Sequence, residues 1–483
     1  MDIIEISKHD ETYNKIKCDP GIGYELNDYF TFDVPGAKFM PAVRNKFWDG
    51  KIRLYNAMSC LLYAGLNQYV EEFAKSRGYQ VIYTSDFSLE EFSLKEAFEF
   101  IDTLGIPKKF ERRDYQIHAF THAVRNRRAL MLSPTASGKS FIIYLITRYY
   151  NARTLIIVPT TSLVSQLASD FSDYGFVSDD FVHRIYAGQD KQTDKPITIS
   201  TWQSIYKLPK EYFQQFDVVV GDEAHLFKAK SLTSIMSKLN NCRYRFGFTG
   251  TLDGTQTHKL VLEGLFGPVR KVTTTAELIY KEHLTQFEIK AIVLKHSDEI
   301  CKQMKGVDYQ AEVDYLVRSD SRNRFIKNLT LSLKDNTLLL FQFVDKHGKV
   351  LYDIISKETD RPVHFVHGGV EGEDREQIRL LLKDQQDAII VASSGTFSTG
   401  VNIPSLRNII FGSPSKSKVR TLQSIGRVLR KSAGKDGAIL YDIADDLTWK
   451  QKKNFTIQHF VERVKIYNEE QFNYKIYPVN LKE

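Results

Sequence analysis

The sequence predicts an α/β protein: two tandem parallel-sheet domains, a small α+β N-terminal domain and a C-terminal helical extension. Three observations carry this expectation. From about residue 105, short runs of Val, Ile and Leu alternate with helical patterns, and such runs read as strands buried on both faces. The alternation stops in a charged, helical interval at about 296–335 and then restarts. Residues 1–100 lack that alternation and differ in charge from the rest.

The N-terminal domain, 1–105, mixes short strand-like runs with one good helix pattern, "LLYAGLNQYVEEFAKSRG" (61–78), closed by Gly78 as a C-cap. "FWDGKIRLY" places Asp49-Gly50 between two apolar runs and predicts a hairpin. The first parallel-sheet domain, 106–283, takes its strands from "ALMLSP", "TLIIVPT", "ITIST", "FDVVVGDE" and "YRFGFTGT". The second, 284–447, takes them from "TLLLFQFVD", "PVHFVHGG", "DAIIVASS", "NIIFGSP" and "GAILYDIAD". The extension, 448–483, contains a helix pattern in "FTIQHFVERVKIYNEEQF".

Composition narrows the function classes. A chain of 483 residues exceeds what one core serves. Its 42% hydrophobic and 26% charged residues are those of a soluble globular protein. The polar start "MDIIEISKHDETYNK" is not a signal peptide, and runs such as "TLLLFQFV" are too short to span a bilayer, so no membrane role is expected. Cys18, Cys60, Cys242 and Cys301 are scattered without metal spacing and read as reduced thiols in a cytoplasm. Residues 1–100 hold 11 Lys+Arg against 16 Asp+Glu, which leaves the other 383 with a net charge of +12. That surplus favours a polyanionic partner. Inside the acidic segment, "AKFMPAVRNKFWDGKIRLY" (37–55) reverses the sign, with five basic residues and one acid, Asp49.

Ligands of doubly wound sheets sit at the carboxyl ends of the strands, so the residues just after each run are candidates for one site. "LMLSPTASGKS" (130–140) places a Gly-Lys-Ser between a strand and a helix. Backbone N–H groups of such a loop point at phosphate oxygens; Lys139 would reach the β/γ-phosphates and Ser140 would hold Mg²⁺. A surface turn with a solvated lysine is the bland alternative. "FDVVVGDEAH" ends a buried strand in Asp222, suited to Mg²⁺, and Glu223, suited to orient or deprotonate a water. "QSIGRVLR" sets Arg427 and Arg430 three apart on one helical face, able to neutralise charge developing on a γ-phosphate. Alone, that pair is an ordinary solvated face; after the other two motifs, in this order, it is not.

With these motifs and "RRDYQ" (112–116), "IVPTTSLVSQ" (157–166), "ISTWQSI" (199–205), "FTGT" (248–251), "HGG" (367–369) and "STGVNIPS" (398–405), the chain resembles the superfamily 2 helicases and translocases, and within them the bacteriophage recombination and repair helicases. The motifs are collinear from 112 to 430. The resemblance implies two RecA-like domains, with ATP and Mg²⁺ bound in the cleft between them. It implies that Gln116, with Arg113 beside it, reads the adenine edge; that Pro134, Thr135, Ala136, Ser137, Gly138, Lys139 and Ser140 form the phosphate loop; and that Glu223 is the catalytic base. Thr249 and Thr251 match the segment coupling hydrolysis to DNA movement, and Gly400 and Asn402 a segment sensing nucleotide and strand together. Gln423, Arg427 and Arg430 match the motif that closes on the γ-phosphate, Arg430 as arginine finger.

Three departures from the family pattern stand out. The family loop commonly reads Ala-Pro-Thr-Gly-Ser-Gly-Lys-Thr, so Ser133 is a small residue where one is expected, while Ala136 replaces a glycine. Because alanine penalises positive φ, this position is expected to keep negative φ. Leu252 stands where proline often follows the coupling threonines, and Asn402 removes a charge usual at its place.

The substrate expectation is DNA, branched and single-stranded, with RNA in hybrids possible. The candidate backbone grips are Thr160, Thr201, Gln203, His367 and Gly368, which read phosphate geometry and not sequence. "YLVRSDSRNRFIKNL" (315–329) resembles DNA-repair and restriction-type members more than RNA helicases. In the N-terminal domain Arg44, Lys46, Lys51 and Arg53 are expected to bind phosphates, while Phe47 or Trp48 stacks on a base at a fork, Phe47 being assigned to the core in preference. Forks, Holliday junctions and R-loops are the substrates the resemblance implies, acted on by a monomer or weak oligomer. The alternatives are a double-strand translocase subunit, an RNA helicase, and a nucleotide-gated DNA-binding or annealing module.

Overall fold

The computed structural model describes residues 2–482 except 35, 187, 253–254, 369–384, 396–404, 414–424, 427–428, 430–434 and 436. The chain divides into two compact units, Met1–Ser133 with Gly138–Thr273, and Pro134–Ser137 with Thr274–Glu483.

The N-terminal part of the first unit contains β1 (Ile3–Lys8), β2 (Tyr13–Lys17), β3 (Thr31–Asp33), β4 (Lys51–Arg53), β5 (Tyr55–Asn56), β6 (Leu61–Tyr63) and β7 (Gln80–Tyr83). Five of these form a mixed sheet in the order β5-β6-β2-β1-β7, and β3 pairs with β4 alone. The helix expected over 61–78 runs from Asn67 to Arg77 and ends as predicted, on Gly78 at φ +74°. Its expected first residues instead form β6 on the edge of β2, because this buries Leu62 completely.

The hairpin expected at Asp49-Gly50 does not form. The partner of β4 is β3, with Phe32 opposite Ile52, and the intervening chain makes a short helix, Pro41–Arg44. Gly50 does turn the chain at φ +78°, but Asp49 is spent on Lys51 N–H and on Arg53.

The first parallel sheet has seven strands: β8 (Arg128–Leu132), β9 (Thr154–Val158), β10 (Val182–Ile185), β11 (Ile197–Thr201), β12 (Val218–Asp222), β13 (Tyr244–Thr249) and β14 (Val269–Lys271). Their order is β10-β11-β9-β12-β13-β8-β14, and every pairing is parallel. The apolar runs read from sequence are the central strands, and β9 and β11 are buried along their whole length, as a sheet covered on both faces requires. Parallel order brings all the carboxyl ends to one edge. Leu132, Val158, Thr201, Asp222 and Thr249 each end a strand there.

The N-terminal part is packed into the same core as this sheet, since Leu66, Val70 and Phe73 share an apolar cluster with Leu260, Leu262 and Phe266. Polar contacts fix the packing. The Tyr69 hydroxyl donates to Glu263 Oε2 at 2.6 Å. Arg245, fully buried, donates to Thr12 Oγ1 at 2.8 Å and to the carbonyl of Cys242 at 3.2 Å. Gly65 must be glycine, because a Cβ there would lie 1.9 Å from the Glu263 carbonyl oxygen. A contact this close leaves no room for the N-terminal part to slide over the sheet.

The second unit is built on β15 (Gln286–Lys295), β16 (Thr337–Phe341), β17 (Val363–Val366), β18 (Ile389–Ser393), β19 (Asn408–Phe411), β20 (Gly437–Asp446) and β21 (Asn473–Asn480), all parallel, in the order β17-β18-β16-β19-β20-β15-β21. Helix Phe455–Glu469 falls where the sequence placed it. The extension also supplies β21, an edge strand not expected from its sequence. Two buried ion pairs tie the helical layers to β20. Arg322 binds Asp445 at 2.9 and 3.0 Å, and Arg463 binds Asp442 at 2.9 Å, with Tyr467 donating to the same carboxylate at 2.8 Å.

Candidate nucleotide and nucleic-acid site

At the carboxyl edge of the first sheet, the loop after β8 leads into helix Lys139–Tyr150. The loop is anchored where Ser133 N–H donates to the Thr249 carbonyl at 2.8 Å. Gly138 turns it at φ +80° and packs so closely that a Cβ would lie 2.3 Å from Gln116 Nε2. Gln116 is 4% exposed and accepts the Arg113 N–H through Oε1 at 3.3 Å. It therefore caps its own helix and also lies against the loop. Arg113 is held through Nη1 on the Tyr115 hydroxyl at 2.9 Å.

Ala136 contradicts its expectation: its φ is +66°. The loop needs left-handed turns at 136 and 138 to reverse twice in three residues, and this requirement overrides the side-chain preference. Alanine in this region costs about 1–2 kcal/mol. Strain of this kind is held where the surrounding fold over-determines the backbone. Ala136→Gly is therefore expected to stabilise the chain by about 1 kcal/mol, less the entropy glycine adds to the unfolded state. Urea unfolding of the full chain checks this; an unchanged or lower midpoint would mean that the turn is not strained.

Lys139 Nζ lies 3.5 Å from Glu223 Oε1 and 4.0 Å from Asp222 Oδ1. Burial pushes the Asp222 carboxyl up to about 6; the adjacent Glu223 charge adds to this, and Lys139 opposes it. Glu223 sits at φ +50°, its N–H donating to Asp222 Oδ1 at 2.9 Å. Two carboxylates, an ammonium and a helix N-terminus converging behind the turn at Gly138 suit a nucleoside triphosphate with a divalent cation.

Three contacts were not foreseen from sequence. His225 Nδ1 lies 3.1 Å from Thr249 Oγ1 and 3.4 Å from Glu223 Oε2, so it bridges the acidic motif and the coupling segment. Its carbonyl lies 2.9 Å from His258 Nε2. The Tyr174 hydroxyl lies 2.9 Å from Ser140 Oγ. The "DEAH" tetrad hinted at the first; nothing near Tyr174 in sequence points to Ser140. Thr249 Oγ1 donates to the Thr251 carbonyl at 2.9 Å, which places both threonines in one buried turn.

Further along the same edge, Thr160, Thr201 and Gln203 line one open cleft of about 630 Å³ with Lys191. Thr160 caps helix Thr161–Asp173, and Thr201 Oγ1 lies 2.9 Å from Ser204 Oγ. In the second unit His367 follows β17 with its ring 5.1 Å from that of Phe365, and Gly368 is exposed. Gly400, Asn402, Gln423, Arg427 and Arg430 lie outside the described residues.

In the N-terminal part Arg44, Lys46, Lys51 and Arg53 are exposed, Arg53 paired with Asp49. The two aromatics correct the sequence reading. Phe47, assigned to the core, is 85% exposed. Trp48 is half-buried, its indole N–H donating to the Lys51 carbonyl at 2.9 Å. Lys46 turns the chain just before them at φ +58°.

Two seven-stranded parallel sheets, with these motifs at the strand ends, define the chain as a superfamily 2 ATP-dependent helicase. Residues 109–254 match the family described as "Type III restriction enzyme, res subunit", and 321–432 the "Helicase conserved C-terminal domain". Residues 3–84 match "DNA helicase UvsW, N-terminal". The chain is 36% identical to the ATP-dependent DNA helicase uvsW of Enterobacteria phage T4, over 99% of this chain and all of that protein. The crystal structure of T4 UvsW matches at 35% identity over the whole of both chains, with a TM-score of 0.53. The chain belongs to the UvsW family of ATP-dependent DNA helicases. A DNA 3'-5' translocase, XPB2 of Sulfurisphaera tokodaii, is 25% identical over 68% of this chain and 82% of its own. Among the described residues no helix is long and apolar enough to cross a membrane.

Proposed function

We propose that this helicase acts on branched DNA, parting or migrating strands at forks, four-way junctions and RNA–DNA hybrids. The observation that carries the reading is the packing of the N-terminal part onto the first sheet through Gly65, Tyr69 and Arg245. The basic arm joins that packed part through Ile52, Leu54 and Tyr55, which share its apolar cluster, so the arm would move with the phosphate loop's sheet in each hydrolysis cycle. Arg44, Lys46 and Lys51 would hold backbone phosphates, as would the cleft of Thr160, Thr201 and Gln203 and, in the second unit, His367 and Gly368.

In this reading ATP binds with Mg²⁺, which supplies charge neutralisation to the β- and γ-phosphates when held by Ser140 and Asp222. Gln116 and Arg113 read the adenine, Pro134–Ser140 cradle the phosphates, and Lys139 leaves the carboxylates for the phosphates. Glu223 takes the proton of the attacking water. Gln423, Arg427 and Arg430, which lie outside the described residues, would act on the γ-phosphate, and Thr249, Thr251, Gly400 and Asn402 would pass the change to the strand.

Strand displacement tests the substrate. Forks and four-way junctions are expected to be resolved far faster than a blunt duplex of equal length. A second reading, tracking along duplex without parting it, is favoured by the likeness to a restriction subunit and to a translocase. Displacement of a duplex-bound third strand, with forks left intact, would select it.

A further inference from the structure

The geometry points to a strand-separating wedge: the exposed Phe47 ring, in the same arm as the exposed Phe39, inserts at the base step where a duplex opens. The inference rests on the branched-DNA reading and assigns that site its working residue.

The arm closes without its aromatic rings. Phe47 and Trp48 both donate their N–H groups to the Ala42 carbonyl, at 2.8 and 3.1 Å, after the left-handed turn at Lys46. Gly50 then packs so closely that a Cβ there would meet Ala37 Cβ at 3.1 Å. Trp48 is tied down by its indole N–H. The backbone at Phe47 is thus fixed on both sides, yet its ring packs against little. Phe39 is 73% exposed and Met40 41% exposed.

One exposed apolar side chain needs no explanation. Three large ones within nine residues, on a rigid backbone, do. Their setting names the occupant. Lys38, Arg44, Lys46 and Lys51 surround them in sequence and are exposed, and no Asp or Glu occurs from 37 to 48. An apolar protein partner would not call for that charge, whereas a base between two phosphates does. Proteins that open base steps use apolar wedges flanked by Arg and Lys in this way. A groove that only tracks a single strand presents a row of stacking rings, not a tip.

The test compares the full chain with Phe47→Ala and Phe47→Trp on a forked duplex carrying 2-aminopurine at the junction. Phe47→Ala is expected to lower strand separation per ATP hydrolysed roughly tenfold and to abolish the junction fluorescence rise, the loss of one base stack. Phe47→Trp should retain both. Turnover on single-stranded DNA should stay within about twofold in either variant, because the ring lies away from the nucleotide site. If wild type opens forks and Phe47→Ala opens them equally well, the wedge is wrong and the branched-DNA reading stands. Equal loss of fork affinity and of single-strand-stimulated turnover would make the arm a docking surface only, which also overturns it. A wild type that hydrolyses ATP on DNA but leaves every fork intact overturns both readings.

Discussion

Glu223→Gln is expected to lower DNA-stimulated ATP turnover by roughly 10²–10⁴-fold, the worth of a positioned general base, while nucleotide affinity changes little. The side chain is held between two cationic or polar partners, Lys139 Nζ at 3.5 Å and His225 Nδ1 at 3.4 Å. Its backbone is strained at φ +50°. Glutamine has the same shape and keeps an oxygen toward Lys139, so the turn survives while the carboxylate, the proposed proton acceptor, is lost. Lys139→Ala should give a different signature. It would remove the phosphate contact proposed for Lys139, so KM is expected to rise as kcat falls. It also removes the cation opposing the rise of the Asp222 pKa, so Asp222 takes up a proton more readily. Steady-state kinetics with nucleotide titration separate the two. A Glu223→Gln chain that turns over within tenfold of wild type would show that another group is the base.

Asp445→Asn is expected to destabilise the second unit by about 3–5 kcal/mol, because it leaves a buried guanidinium without its counter-charge. Arg322 and Asp445 are both fully buried, and Arg322 also donates to the Gly412 carbonyl at 2.9 Å. Replacing both residues with apolar ones of similar size should recover much of the loss.

The pH dependence follows from two shifts. Burial alone would raise the Asp445 pKa, but Arg322 and His296 outweigh it and hold it below the usual carboxylate range. A depressed carboxylate stabilises the fold above its unfolded value, near 3.9, and that contribution is lost as pH falls through the folded value. Burial, with Arg322 nearby, pushes His347 down to about 3. Its contribution is present above the imidazole's unfolded value of about 6.5 and declines below it. Stability of the second unit should therefore fall in two stages, below about pH 6.5 and again below about pH 4. Asp445→Asn should remove only the lower stage. Urea unfolding across pH checks this, and a variant whose profile matches wild type below pH 4 would contradict it.

The parallel sheets were legible because a strand buried on both faces must be apolar throughout. "TLIIV" fits this directly, while "ITIST", with three hydroxyl residues, reads as a strand through its β-branched Ile and Thr. β10, β14 and β21 were not, because each lies at an edge and is partly exposed, and β21 even carries Pro478; β15, inside the sheet, was also missed, since its first half, "QFEIK", alternates apolar with polar residues. The misread hairpin has a related cause. Asp-Gly signals a turn but not its partner, and β3 lies about twenty residues away. Lys139, Ser140, Asp222 and Glu223 could be singled out because each follows or ends a strand, whereas Gln116, Thr249 and Thr251 were named only through the family resemblance. Ala136 and Phe47 failed in the same direction. In both, a residue's usual preference was taken as its state, and both depart from it where the surrounding fold imposes a turn or an exposed tip.

ATP hydrolysis with no nucleic acid, single-stranded DNA, blunt duplex, a four-way junction and single-stranded RNA, at one fixed salt concentration, tests the central claim most directly. Salt must be fixed because phosphate-driven affinity depends on it steeply. A motor for branched DNA is stimulated most by the junction and little by RNA. Equal stimulation by RNA, or none by any DNA, would contradict the account.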